Sequence, residues 1–330
     1  MRTDPSTRNL FLLRLLMCLC VFALQGARAA SADAWPTKPI KLVVPFPPGA
    51  GTDSTARFIA QKLGEQMGAT IVVDNRTGAG GAIGAEAVAH SDPDGYTLLF
   101  VASPFTTVAA ANANPTYDPK KFAAVALIAT GPLVFVTSAD SPVTSMRELI
   151  ALAKAKPGTL NYGSAGTGGI NHLALELLKI RTEANIVHVP YKGIGPATID
   201  LLGGQIQLLT GTIPAVLPFV SQGKMRALAV TGTHRSPLLP DVPSMPEAGV
   251  PNYEVYNYWG IVAPLSTPRE IIAKINAEMQ KLLANPDVRD KLEKDGVELT
   301  PSGPERMQAF ISADLASWKK LIAEAKLTLE

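Results

Sequence analysis

The sequence predicts an α/β fold, on three observations. Short apolar runs alternate with amphipathic helical patterns along the chain. Several of these runs are apolar on consecutive residues, as parallel strands covered on both faces are. A strand, glycine-rich turn and helix device occurs twice, at residues 42–63 and 160–178. Alternation of this kind implies right-handed crossovers between strands.

Taken in order, the chain opens with a segment, 1–29, that reads as a cleaved export signal. Arg2 and Arg8 give a basic start, Leu15–Leu24 an apolar run, and Ala27 and Ala29 the small residues before cleavage. Ten apolar residues fall well short of the ~20 a membrane span needs. Neither Cys18 nor Cys20 follows a lipobox, so no lipid anchor is expected. Both cysteines of the chain lie here, which removes disulfides, thiolate catalysis and Cys-ligated metals from the mature protein. That mature chain has 301 residues, a length that suggests two domains. Without the segment's four basic and one acidic residue, 26 basic stand against 27 acidic. Such a balance points to no nucleic-acid or anionic-membrane surface. The mature protein is expected to be soluble and periplasmic.

Strands are expected at "IKLVVPF", "ATIVVDN", "YTLLFVAS", "LVFVTSA", "TLNYGS", "IVHVPY", "IQLLTGT", "MRALAVTGT" and "NYWGIVAP". Residues 53–66 place Ala56, Ile59, Ala60 and Leu63 on one helical face. "SMRELIALAKA" has Ser145 and Glu148 at capping-box spacing. Residues 269–285 carry Ile272, Ile275, Met279 and Leu282 as a stripe, and the last helix carries Phe310, Leu315, Trp318 and Ile322.

In the two repeated devices, the glycines let backbone approach a ligand closely, and the following helix offers free N–H groups and a positive dipole end. Prolines stiffen the first turn, "VVPFPPGAGTD". Either turn alone is as readily an ordinary strand-to-helix connection. Two in one chain favour a site for an anion.

Catalytic signatures are missing. A G-x-S-x-G elbow would need Gly where Tyr162 stands. The third glycine of G-x-G-x-x-G is replaced at each cluster by Ser54, Ile83, Asn171 or Thr198. No Walker A motif occurs, and His90, His172, His188 and His234 form no H-E-x-x-H. No metal site, cofactor or enzymatic activity is expected. Asp53 and His172 stand in the first turns after the two loops, where a cap or packing role competes with ligand contact.

Six segments carry a resemblance in order: "WPTKPIKLVVPFPPGAGTD", "VVDNRTGAGGAIGAEAVAHSDPDGYTLLF", "NYGSAGTGGINHLALELL", "VPYKGIGPATIDLLGGQIQ", "MRALAVTGTHRSPLLPDVPSMPEAG" and "YWGIVAP". From Trp35 to the C-terminus the chain resembles the Bug proteins, the TctC-like periplasmic receptors of tripartite tricarboxylate transporters. The resemblance implies a two-lobed Venus flytrap of mostly parallel sheets, with lobe 1 at 30–131 plus 255–330 and lobe 2 at 132–254. It implies a small carboxylate held in the cleft, permease subunits as partners, and a monomer. The first loop then contributes Phe46, Gly49, Gly51, Thr52 and Asp53, and the second Ser164, Ala165, Thr167 and Gly168, with His172 behind. Ser103, Tyr191 and Tyr258 are further cleft candidates, core packing being the alternative for Tyr258. Gly211 stands where relatives that bind amino acids carry an acidic residue. A ligand without a positive group is therefore expected: a dicarboxylate, tricarboxylate or aromatic acid. Ala50 replaces a common second glycine. A receptor that docks on a sensor instead of a permease is the alternative role.

Overall fold

A computed structural model of the chain describes residues 35–49, 51–295 and 297–324. The expected export segment and Ala50 lie outside the described residues. Of the unit ending at Lys38, residues 35–38 are described, and every described strand and helix belongs to the unit from Pro39 onward.

The first elements are β1 (Ile40–Val44), α1 (Gly51–Met67), β2 (Ile71–Asn75), α2 (Ala82–Ala89), β3 (Thr97–Ala102) and α3 (Pro104–Ala111). A long strand, β4 (Phe122–Ser138), leads to α4 (Met146–Ala155), β5 (Leu160–Ser164), α5 (Ile170–Thr182) and β6 (Ile186–Pro190). There follow α6 (Ile194–Leu202), β7 (Leu208–Thr212), α7 (Ile213–Ser221), β8 (Met225–Val230) and β9 (Tyr256–Pro264). The chain closes with α8 (Arg269–Ala284), α9 (Pro286–Lys294), β10 (Leu299–Ser302) and α10 (Pro304–Glu324).

The strands lie in the order β2-β1-β3-β9-β4-β7-β5-β6, with β8 and β10 also on β4. Parallel trios stand at both ends: β1 between β2 and β3, and β5 between β6 and β7. Between them β9 and β4 run antiparallel to their neighbours. Crossing strands thus join two α/β halves, the arrangement of a two-lobed binding protein.

β4 changes partner partway along. Phe122 to Pro132 pair with β9, and from Leu133 the strand pairs with β7 and from Val134 with β8. Its apolar residues follow suit. Phe122, Ala124 and Leu127 join Val43, Leu99 and Val262 in the first half's core. Further along, Leu133 and Phe135 face one core of the second half, and Val134 and Val136 face the other. The sequence predicts a strand only over the later part of β4. The earlier stretch, "FAAVALIATGP", is apolar on consecutive residues up to Thr130, and periodicity cannot tell such a run from a buried helix. In α10, Ile311 and Leu315 pack in the first half, but Trp318 packs in the second half's core.

Candidate ligand-binding cleft

The first loop leaves β1 through the buried Pro45 and half-buried Phe46 and reaches Gly49, whose φ of +80° only glycine adopts easily. Asp53, 1% exposed in the first turn of α1, holds the loop in shape. Its carboxylate accepts from the Gly49 N–H at 2.9 Å, from Arg57 Nε at 2.9 Å and from Asn75 Nδ2 at 2.7 Å. Asn75, at the end of β2, also donates to the Phe46 carbonyl at 2.9 Å and accepts from Arg57 at 2.6 Å. Burial alone would raise the Asp53 pKa; the hydrogen bonds from Arg57, Asn75 and Gly49 outweigh it and lower the carboxyl below its ordinary range. The Asp53 carboxylate thus clasps the loop from within, through Gly49, Arg57 and Asn75. Beside it Thr52 Oγ1 accepts from the Trp259 indole at 3.4 Å.

The second loop hangs on two histidines. His172 Nδ1 accepts the Gly168 N–H at 3.0 Å, and His188 Nε2 lies 2.7 Å from Ser164 Oγ. Ser164 Oγ also accepts the Gly166 N–H at 3.1 Å, so its hydroxyl is spent inside the loop. The two imidazoles stack at 3.9 Å with an interplanar angle of 8°, and Tyr162 stacks on His188 at 4.9 Å. Tyr162 donates to Glu176, which also receives Lys179. Burial lowers the pKa of both histidines; for His188, the neighbouring His172 and Lys179 add to this and bring it to about 3. Neutral rings can stack; two imidazolium ions at this distance would repel. In sequence the four histidines are far apart and suggest no such pair. The β5–β6 register sets His188 opposite Tyr162, one strand over from the helix that carries His172.

The remaining candidates divide. Ser103 is buried at the end of β3, donating to Asn257 Oδ1 at 2.9 Å and accepting the Tyr258 N–H at 3.2 Å. It positions Asn257. Tyr258 is fully buried in the first half's core, edge-on to Phe310 at 5.0 Å and within 3.3 Å of Thr106 Oγ1. That is the core-packing alternative, on the face of β9 opposite Asn257 and Trp259. Tyr191 lies over Gly163 with its hydroxyl on Asp200 at 2.7 Å; desolvation and that carboxylate push its pKa to about 12. A Cβ on Gly211 would come within 2.4 Å of Val216, so this position faces α7 and leaves no room for a side chain. Ala165 is half-buried and Thr167 exposed, both on the second loop.

Each loop approaches an element of the opposite half. A Cβ on Gly51 would lie 3.7 Å from Pro214, and one on Gly168 would lie 2.8 Å from the Ala111 Cβ. Each loop therefore meets the opposite half. The first N–H groups of α1 and α5 lack intrahelical partners by geometry and suit an anion. Gly49 and Gly168 contribute shape, their own N–H groups being taken by Asp53 and His172. No group of three metal-ligating side chains stands together among the described residues. Asn75, Arg57, His188, Trp259 and Asn257 touch the candidate residues but are not singled out among them; "VVDN" hints at a polar strand end and "YWGIVAP" carries Trp259.

Residues 55–327 match the model of the tripartite tricarboxylate transporter family receptor, TctC. Protein BugT of Bordetella pertussis is 36% identical over 322 residues, covering 96% of this chain and 99% of BugT. A Rhodopseudomonas palustris protein, Rpa4515, solved with adipate, is 37% identical with a TM-score of 0.85, over 88% of this chain and 98% of that one. MatC from the same organism, with bound malate, is 30% identical with a TM-score of 0.81, over 87% of this chain and all of that one.

Proposed function

This chain belongs to the tripartite tricarboxylate transporter receptor family, a family of solute receptors and not of enzymes, and from that premise we propose that it captures a small carboxylate in the periplasm and delivers it to a membrane permease. The observation that carries the reading is the pair of glycine-rich loops, each set against the opposite half through Gly51–Pro214 and Gly168–Ala111. A carboxylate between them accepts from the first N–H groups of α1 and α5 and lies where both dipole ends favour negative charge. The relatives solved with adipate and malate support a carboxylate ligand.

We take 132–254 as the second lobe and 30–131 with 255–330 as the first; β4's change of partner after Pro132 supports that division. A solute bridging both loops favours the closed arrangement by its differential affinity for it. The permease then reads the closed form of a monomeric receptor that the segment 1–29 has exported.

The test is a thermal-shift screen of the mature chain against adipate, malate, citrate, benzoate and glutamate. An acid at one hundred times its dissociation constant adds about 2.7 kcal/mol and a shift of several degrees. The reading fails if none shifts the melt and the denatured protein releases no bound acid.

A further inference from the structure

Asn257 lies on β9, the crossing strand, and is 2% exposed. Its Oδ1 accepts from Ser103 twice, from the hydroxyl at 2.9 Å and from the backbone N–H at 3.3 Å. Those contacts fix the amide's orientation, because the flipped amide would set its NH2 against the Ser103 N–H. Nδ2 is left with no protein partner, and it can only donate. A buried donor of this kind carries a cost unless something accepts from it.

Its surroundings point to what accepts. Side chains alternate along a strand, so Asn257 shares a face of β9 with Trp259, opposite Tyr258. The Trp259 indole reaches Thr52 in the first loop, and Gly51 beside it meets Pro214 of the second half. One turn along α3 from Ser103, the Thr107 hydroxyl is also fully buried without a protein partner. One turn further, Ala111 meets Gly168 of the second loop. The polar groups left unsatisfied here thus lie on elements that meet both loops.

We propose that Asn257 is a specificity-determining residue, donating its side-chain amide to a carboxylate oxygen of the bound solute. Because Ser103 holds the acceptor end, the site presents a donor only, which selects an anionic oxygen at that point and disfavours an ammonium. This inference rests on the carboxylate-receptor reading above.

The experiment titrates the unmutated mature chain, Asn257→Ala and Asn257→Asp by calorimetry with adipate, malate, citrate and benzoate. Asn257→Ala is expected to weaken the preferred acid about tenfold or more, the value of a hydrogen bond to a charged group. Asn257→Asp still accepts from Ser103 but turns a carboxylate on the solute, and is expected to lose at least about a hundredfold. In the unmutated chain the 15N-labelled Asn257 side-chain amide resonance is expected to move on saturation with that acid, a readout independent of how the variants fold. The proposal is overturned if the unmutated chain binds an acid, both variants bind it equally well and the amide resonance stays still; the amide then holds only water, and the carboxylate reading survives. If the unmutated chain binds none of the acids, the proposal and that reading fall together.

Discussion

Gly168 offers a way to weigh the contact between halves. An alanine there faces two separate costs. Its φ of +75° is left-handed, which costs a residue with a Cβ about 1–2 kcal/mol. The new methyl would also stand 2.8 Å from the Ala111 Cβ, an overlap worth about 1–3 kcal/mol if neither side yields. Gly204, at φ +74° with nothing within 4 Å of where a Cβ would stand, carries the first cost without the second. Comparing Gly168→Ala with Gly204→Ala by urea unfolding of the ligand-saturated protein therefore isolates the overlap. Because the overlap arises where the halves meet, it acts chiefly on the ligand-bound form. Gly168→Ala should weaken ligand affinity about 5- to 150-fold, while Gly204→Ala leaves it unchanged. Ala111→Gly added to Gly168→Ala should restore most of that affinity. Equal affinity in the two single variants, or no rescue by Ala111→Gly, would mean that the two loops do not approach the opposite halves in the bound protein.

Three further outcomes are expected. Asp53→Asn should cost about 1.5–3 kcal/mol in a urea melt, since an amide cannot accept from Gly49 and Arg57 on one side and from Asn75 on the other; unchanged stability would remove Asp53 as the clasp. Asp314, half-buried against Thr106 and Trp318, has its pKa raised by desolvation to about 6, so it favours folding below pH 3.8 and loses that contribution as pH rises through 6. Asp314→Asn should thus be stabilising by up to about 3 kcal/mol at pH 8 and by much less at pH 4, measured as melts across that range. His188 runs the other way: its pKa is depressed to about 3, so its contribution is present above pH 6.5 and lost as pH falls towards 3. His188→Gln should flatten that acid limb, and an equally steep limb in the variant would count against the stacked neutral pair.

The legible part of this protein is what repeats locally. Both glycine-rich turns, and the helices after them, are contiguous stretches in which Gly49 and Gly168 mark left-handed backbone. What holds the turns is illegible because the partners are distant in sequence. Asp53 meets Asn75 twenty-two residues on, and Ser103 meets Asn257 after 154. A lone asparagine at a strand end carries no signal of which amide will be pinned and which left open. Tyr258 misleads for a related reason. It sits one residue from Asn257 and Trp259, and on a strand one residue is the difference between the core and the opposite face.

The place of β9 between β3 and β4 also bears on how the molecule assembles. Its residues are separated from β3 by more than 150 positions, yet both β3 and β4 depend on it for a neighbour. The second half is different: β5 to β8 and the later part of β4 are complete by Val230. A chain emerging from its N-terminal end therefore has the strands of the interior half to hand first and must keep β1 to β3 waiting, with the inner edge of β3 unpaired, until residue 264 arrives. Long-range pairing of this kind is slow and leaves edges exposed in the interim. The strand that joins the two halves is thus also the one that closes the first half's sheet between β3 and β4, with α10 still to cover that core through Ile311 and Leu315.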